Sequence, residues 1–357
     1  MKKGIYFALV LGVIASCKQE PKSVDSWQLG PFYKIDEANP ILHPTSEVSF
    51  TDPITKEEVF WEEKNVLNPT AVVKDNRVHL LYRAQDSAMT SRIGMAISED
   101  GIHFKKDKTP VFYPDNDALK SYEWPGGVED PRIVSTVDGR YILTYTSYDG
   151  KTARLFVASS TDLYSWTKHG PAFKEEKYID MWSKSGAIVA QQIEGNFVAK
   201  KINGTYWMYF GDTDLFIATS TDLVQWNVVE NQENNQMISV LNPRPGYFDS
   251  RLVEPGPFAL YTEKGIHLIY NASNAKNNND STLPQFTYAA GQALFDKNLP
   301  YKLLERTPSY FIKPEKDYEM LGEVNEVCFV EGLVYFKDKW MLYYGTADSK
   351  IAVATTK

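Results

Sequence analysis

Three carboxylates stand where a constrained backbone would aim them. Asp130 lies in Trp124-Pro125-Gly126-Gly127-Val128-Glu129-Asp130-Pro131-Arg132, the least ordinary segment of the chain. Its glycines allow close backbone approach, and Pro131 predicts an extended conformation for the residue before it. A strand, Arg132–Ser135, is expected to start there, which puts Asp130 at a strand mouth. Aromatic surroundings would desolvate this carboxyl and raise its pKa, the condition a general acid needs. Glu254 repeats the idea in Leu252-Val253-Glu254-Pro255-Gly256-Pro257. Glu194, in Gln191-Gln192-Ile193-Glu194-Gly195-Asn196-Phe197, precedes another group of strands. An acid and a base about 6.5–9.5 Å apart, with water between, suit inverting glycoside hydrolysis. Each carboxylate taken singly also fits a solvated turn.

The elements that would position them form a repeat. Five segments share one pattern: Arg77–Ala84, Arg140–Ser147, Thr205–Asp212, Gly265–Ala272 and Lys339–Thr346. Each follows a turn-like residue and is rich in β-branched and aromatic side chains, which is a strand signal. A second short strand follows each: Ile93–Ser98, Leu155–Ser160, Leu215–Ser220, Tyr288–Ala293 and Ile351–Thr356. Small residues recur in it (Ala96, Ala158, Ala218, Ala290, Ala354), which suggests crowding near an axis. Three of these strands run into matched turns: Ser98-Glu99-Asp100-Gly101, Ser160-Thr161-Asp162-Leu163 and Ser220-Thr221-Asp222-Leu223. The period leaves room for about four strands per unit, so the expected fold is an all-β, five-bladed β-propeller over residues 31–357. The chain ends on a strand, so the N-terminal segment is expected to supply the closing outer strand.

Composition excludes other classes. The 357 residues are 43% hydrophobic and 24% charged, as in a globular protein. The net charge of -8 argues against a nucleic-acid partner, which needs a basic face. The 22 Tyr, 18 Phe and 8 Trp suit β structure and sugar stacking. Five scattered histidines show no ligand spacing, so neither a metal site nor a cofactor is expected. Residues 1–17, MKKGIYFALVLGVIASC, have a basic start and a short apolar run before small residues and Cys17. That is a lipoprotein signal with Cys17 as the lipidated residue, or ordinary secretion with a chance cysteine. Residues 18–30 would be a tether. Membrane association would then run through the lipid alone, and Lys18 after the cysteine favours an outer membrane.

The ordered set of motifs resembles glycoside hydrolase family 130. It comprises Gly126–Arg132, Asn68-Pro69-Thr70-Ala71 with Leu80–Ala84, Ser91–Gly94 with Ser98–Gly101, Tyr288–Asp296 and Tyr343–Asp348. The resemblance implies a five-bladed propeller acting on β-mannosides, as phosphorylase or hydrolase. It implies Asp130 as general acid, with the proton passing in phosphorylases through a sugar hydroxyl. It also implies Asn68, Arg83, Ser91, Arg92 and Asp348 as mannose-binding residues. Trp124, Tyr82, Tyr122 and Trp182 are candidates for stacking.

Departures from the family pattern point to hydrolysis. Phosphorylases carry Tyr-His-Gly where this chain has Tyr270-Asn271-Ala272, and a His-Arg pair where it has Phe210-Gly211-Asp212. A phosphate dianion needs such charge-assisted partners. Lys184, which corresponds to a family lysine near phosphate, is retained. The expectation is an inverting hydrolase of β-manno-oligosaccharides, most of all β-1,2-linked, with Asp130 as acid and Glu194 plus Glu254 activating water. A phosphorylase, another five-bladed glycosidase such as an arabinofuranosidase, and a non-catalytic glycan-binding lipoprotein remain alternatives. Oligomeric state is not legible.

Overall fold

The computed structural model describes residues 27–357. The signal segment, Cys17 and residues 18–26 of the tether lie outside the described residues. The fold is all-β with almost no helix: Lys120–Glu123 and Asp317–Met320 are each a single turn.

The strands pair in five antiparallel sets. The first is Asn65–Lys74, Arg77–Gln85, Ser91–Ser98 and Lys105–Lys106. The second is Gly127–Ser135, Tyr141–Tyr148, Ala153–Ser160 and Trp166–Pro171. In the third, Ala187–Ile193 pairs with Thr205–Phe210, followed by Leu215–Ser220 and Asn227–Val228. In the fourth, Leu252–Pro255 and Ala259–Thr262 share the partner Gly265–Ser273, followed by Tyr288–Phe295 and Leu303–Arg306. The fifth is Cys328–Phe336, Lys339–Thr346 and Lys350–Thr355, and its last partner is Tyr33–Lys34 from the N-terminal side.

The matched turns have one physical basis. Ser98, Ser160 and Ser220 each accept the backbone N–H three residues on, from Gly101, Leu163 and Leu223. Asp100, Asp162 and Asp222 accept the next two N–H groups. The side chains thus replace the missing ladder partners at the strand ends. Trp166 and Trp226 then donate to the carbonyls of Leu163 and Leu223, pinning the turns to the sheet.

The small alanines do not mark an axis. They lie in the third strand of each set, buried between neighbouring sheets. The first strands meet instead: Asn65–Lys74 lies against both Gly127–Ser135 and Cys328–Phe336, and Ala187–Ile193 runs parallel to Ala259–Thr262. First-strand residues are buried at the end where the strands begin. That is where the carboxylates gather.

Candidate active site

The strand starts share one irregularity. The ladder slips between Leu67 and Pro69, between Glu129 and Arg132, and between Val330 and Gly332. A bulge leaves a residue out of the ladder and re-aims its side chain. The residues released are Asn68, Asp130 with Pro131, and Glu331. Ser185-Gly186 before the third set and Glu254-Pro255 in the fourth occupy comparable places. Asp130 is not extended, as the following proline would predict. Its φ is 49°, and that of Asn68, also before proline, is 47°. This left-handed geometry costs about 1–2 kcal/mol, least for Asn and Asp. The hydrogen bonds that hold both side chains offset it. Gly127 has φ 108°, and a Cβ there would strike the Ser91 backbone, with which it pairs.

Asp130 is 3% exposed and surrounded by donors. Asn68 Nδ2 donates to Oδ1 at 2.6 Å, and Arg83 donates to the same oxygen at 3.0 Å. Lys184 Nζ lies 3.3 Å from Oδ2. Arg83 also donates to Glu129 at 2.6 Å and to Ser91 Oγ at 2.9 Å, and Ser91 donates to Glu129 at 3.2 Å. Burial pushes the Asp130 carboxyl upward, but Lys184 and Arg83 outweigh it and hold the group well below the usual carboxylate range. The raised pKa expected from an aromatic setting is therefore corrected: the setting is cationic.

The opposite holds for two neighbours. Burial raises Glu254 to about 7, against the pull of Lys184 and Arg132 and with help from Asp212 and Asp130. Its carboxylate accepts from Ser185 Oγ. Burial raises Asp348 to about 6, opposed by Arg83. The site thus holds carboxyls whose affinities for protons have been pushed apart, which is the arrangement acid–base chemistry needs.

Asn68, Arg83, Ser91, Asp130, Lys184, Glu254 and Asp348 are linked by these bonds and fields. Trp124 is half-buried and follows the short helix, just before the Gly127 strand. Two calls are corrected. Glu194 is exposed in the turn after Ala187–Ile193, in a cleft shared with Lys74, Thr136 and Asp338. A strand of that length puts roughly 20 Å between the turn and the Ser185 end. Arg92 is 1% exposed and bonded to Asp52 at 2.6 Å and Asp86 at 2.7 Å. Neighbouring residues on a strand face opposite ways, so Ser91 reaches the cluster and Arg92 cannot. Tyr82 is likewise buried, donating to Glu62 at 2.8 Å, and Tyr122 packs on Phe156. Of the stacking candidates, Trp182 is open, 51% exposed, with Nε1 donating to Asp212 at 2.7 Å.

Glu129, Ser185, Asp212 and Glu331 belong to the site and were not picked out as site residues. Glu129 was visible beside Asp130, and Glu331-Gly332 repeats the carboxyl-before-breaker pattern of Glu254-Pro255. Asn271, at a departure from the phosphorylase pattern, joins the fourth and fifth sets by two bonds to the Val330 backbone.

The family model described as β-1,4-mannooligosaccharide phosphorylase matches residues 32–357. A β-1,2-mannobiose phosphorylase of Thermoanaerobacter sp. is 31% identical over 318 residues, 85% of this chain and 92% of its own length. A glycosyl hydrolase structure from Bacteroides ovatus is 44% identical, with TM-score 0.91, covering 93% of this chain and 95% of that one. Another structure is 45% identical with TM-score 0.91, covering 93% and 95%. It is reported with the finding that the mannoside phosphorylase family contains glycoside hydrolases that target β-1,2 mannosidic linkages in Candida mannan. The chain belongs to glycoside hydrolase family 130.

Proposed function

We propose that this chain is an inverting hydrolase of β-mannosides, most of all β-1,2-linked manno-oligosaccharides, with Asp130 and Glu254 as its acid–base pair. The observation that carries the reading is the state of the cations. Arg83 and Lys184 are both already engaged with Glu129 and Asp130. Asp212, together with Glu254 and Asp348 when these are ionised, adds negative charge around them. A phosphate dianion would meet this field unfavourably, whereas water between carboxylates would be activated.

In the first assignment Asp130 protonates the leaving oxygen. In that assignment Asp130 takes up a proton from solvent, against the pull of Lys184 and Arg83, before it passes one to the leaving oxygen. Glu254, with Asp212 near it, then deprotonates water. The value of about 7 for Glu254 favours a second assignment, with Glu254 as acid and Asp130 as base. Trp182, held by Asp212, offers an open aromatic face for the leaving sugar.

The same proposal takes the five sets as the blades of one five-bladed β-propeller, closed by the Tyr33–Lys34 strand. The N-terminal reading, export as an outer-membrane lipoprotein through Cys17, belongs to the same proposal. Incubation with β-1,2- and β-1,4-mannobiose, with and without phosphate, tests the reaction. Free mannose of inverted anomeric form without phosphate is expected; mannose 1-phosphate formed only with phosphate would sink it.

A further inference from the structure

One guanidinium bridges three of the five strand sets. Arg132 Nε donates to the Gly256 carbonyl at 2.8 Å, and a terminal nitrogen donates to the Pro255 carbonyl at 2.7 Å. The other terminal nitrogen donates to the Asp130 carbonyl at 3.2 Å. The nitrogen on Pro255 also lies 2.8 Å from Glu331 Oε1, and the two side chains are 2% and 0% exposed. The contacts therefore join the second, fourth and fifth sets. Two of the carbonyls belong to the catalytic backbone: that of Asp130 itself, and that of Pro255, the residue after Glu254.

No strand ladder joins Gly127–Ser135 to Leu252–Pro255 among the described residues. Something else must hold the two segments, because a misplacement of about 1 Å can cost on the order of 100-fold in rate. We propose that Arg132, backed by Glu331, is a positioning residue that sets the separation of the Asp130 and Glu254 carboxylates by tying their backbones together. This rests on the reading of those two residues as the acid–base pair. The planar fork matters as much as the charge. Lysine supplies a point charge and cannot span the same carbonyls in fixed geometry. Among the described residues Glu331 makes no hydrogen bond beyond its contact with Arg132, which fits a part in orienting that guanidinium.

The test uses Arg132→Lys and Glu331→Gln in the full chain, with Asp130→Asn and Glu254→Gln as controls. Thermal melts first establish folding. For folded Arg132→Lys the expected result is kcat lower by about 100-fold with KM nearly unchanged, and pH limbs where wild type has them. For Glu331→Gln a fall in kcat of about tenfold is expected. Wild-type kcat in both variants, a KM effect alone, or limbs moved without loss of kcat would overturn the proposal. If Arg132→Lys does not fold, Glu331→Gln decides. Active controls would defeat the acid–base reading itself. Inactive controls beside near-normal Arg132→Lys and Glu331→Gln would defeat only the positioning role.

Discussion

The Lys184 ammonium lies 3.3 Å from Oδ2 of Asp130 and 4.0 Å from Oε2 of Glu129. Burial, Asp130 and Glu129 act on this lysine together, and the carboxylates hold it firmly charged. The lysine that resembles a phosphate ligand is thus neutralised from within the chain. Its retention is compatible with hydrolysis, and the carboxylate it holds becomes the first target for substitution.

Asp130→Asn should lower kcat on mannobiose by about 10²–10⁴-fold while the fold persists. If Asp130 is the acid, an activated leaving group such as 2,4-dinitrophenolate should restore most of the lost rate. If it is the base, azide should restore turnover and give an α-mannosyl azide. Near-normal kcat on mannobiose would remove Asp130 from the chemistry.

The pH profile separates the two assignments through Glu254. With its carboxyl at about 7, a base role requires the ionised form, and kcat/KM then falls as pH drops below 7. An acid role requires the protonated form, and kcat/KM falls as pH rises above 7. The residual activity of Glu254→Gln should lack whichever limb is present.

The same group links pH to stability. Its folded value lies above the ordinary 4.5, so the folded chain holds a proton that the unfolded chain releases. Its contribution is fully present below 4.5 and is lost as pH rises through about 7. Glu254→Gln should therefore melt at a higher temperature than wild type at pH 8, measured by calorimetry. A lower melting temperature would show that the carboxylate is stabilised by contacts beyond Ser185.

Trp182→Ala should raise KM for manno-oligosaccharides about tenfold, the equivalent of about 1.5 kcal/mol of lost aromatic contact. The value of kcat should change little. An unchanged KM would leave the ring with no substrate role.

Arg92 and Glu194 should part in the opposite direction from the active-site residues. Arg92→Met strands Asp52 and Asp86 and should destabilise the fold by about 3–5 kcal/mol, seen as a lower melting temperature. Glu194→Gln, at an exposed turn, should keep kcat/KM within about twofold.

By itself the sequence determined the repeat and the strand content, and it singled out Asp130 as a candidate. Alternation of apolar residues, turn chemistry at Ser98, Ser160 and Ser220, and carboxyls placed before breakers are all local properties. Local pattern also named Glu254, and the resemblance to glycoside hydrolase family 130 named Asn68, Arg83, Ser91, Lys184 and Asp348. It failed where direction and distance decide. Glu194 lies in the exposed turn after its strand whereas Glu254 lies buried within Leu252–Pro255, and spacing does not distinguish the two. Ser91 and Arg92 are adjacent, yet the pleat sends one into the cluster and the other to Asp52 and Asp86. The charge state of Asp130 was beyond reach for the same reason. Burial alone would raise its pKa, and only the fold brings Arg83 from another strand, and Lys184 from the segment before Ala187–Ile193, close enough to reverse the sign.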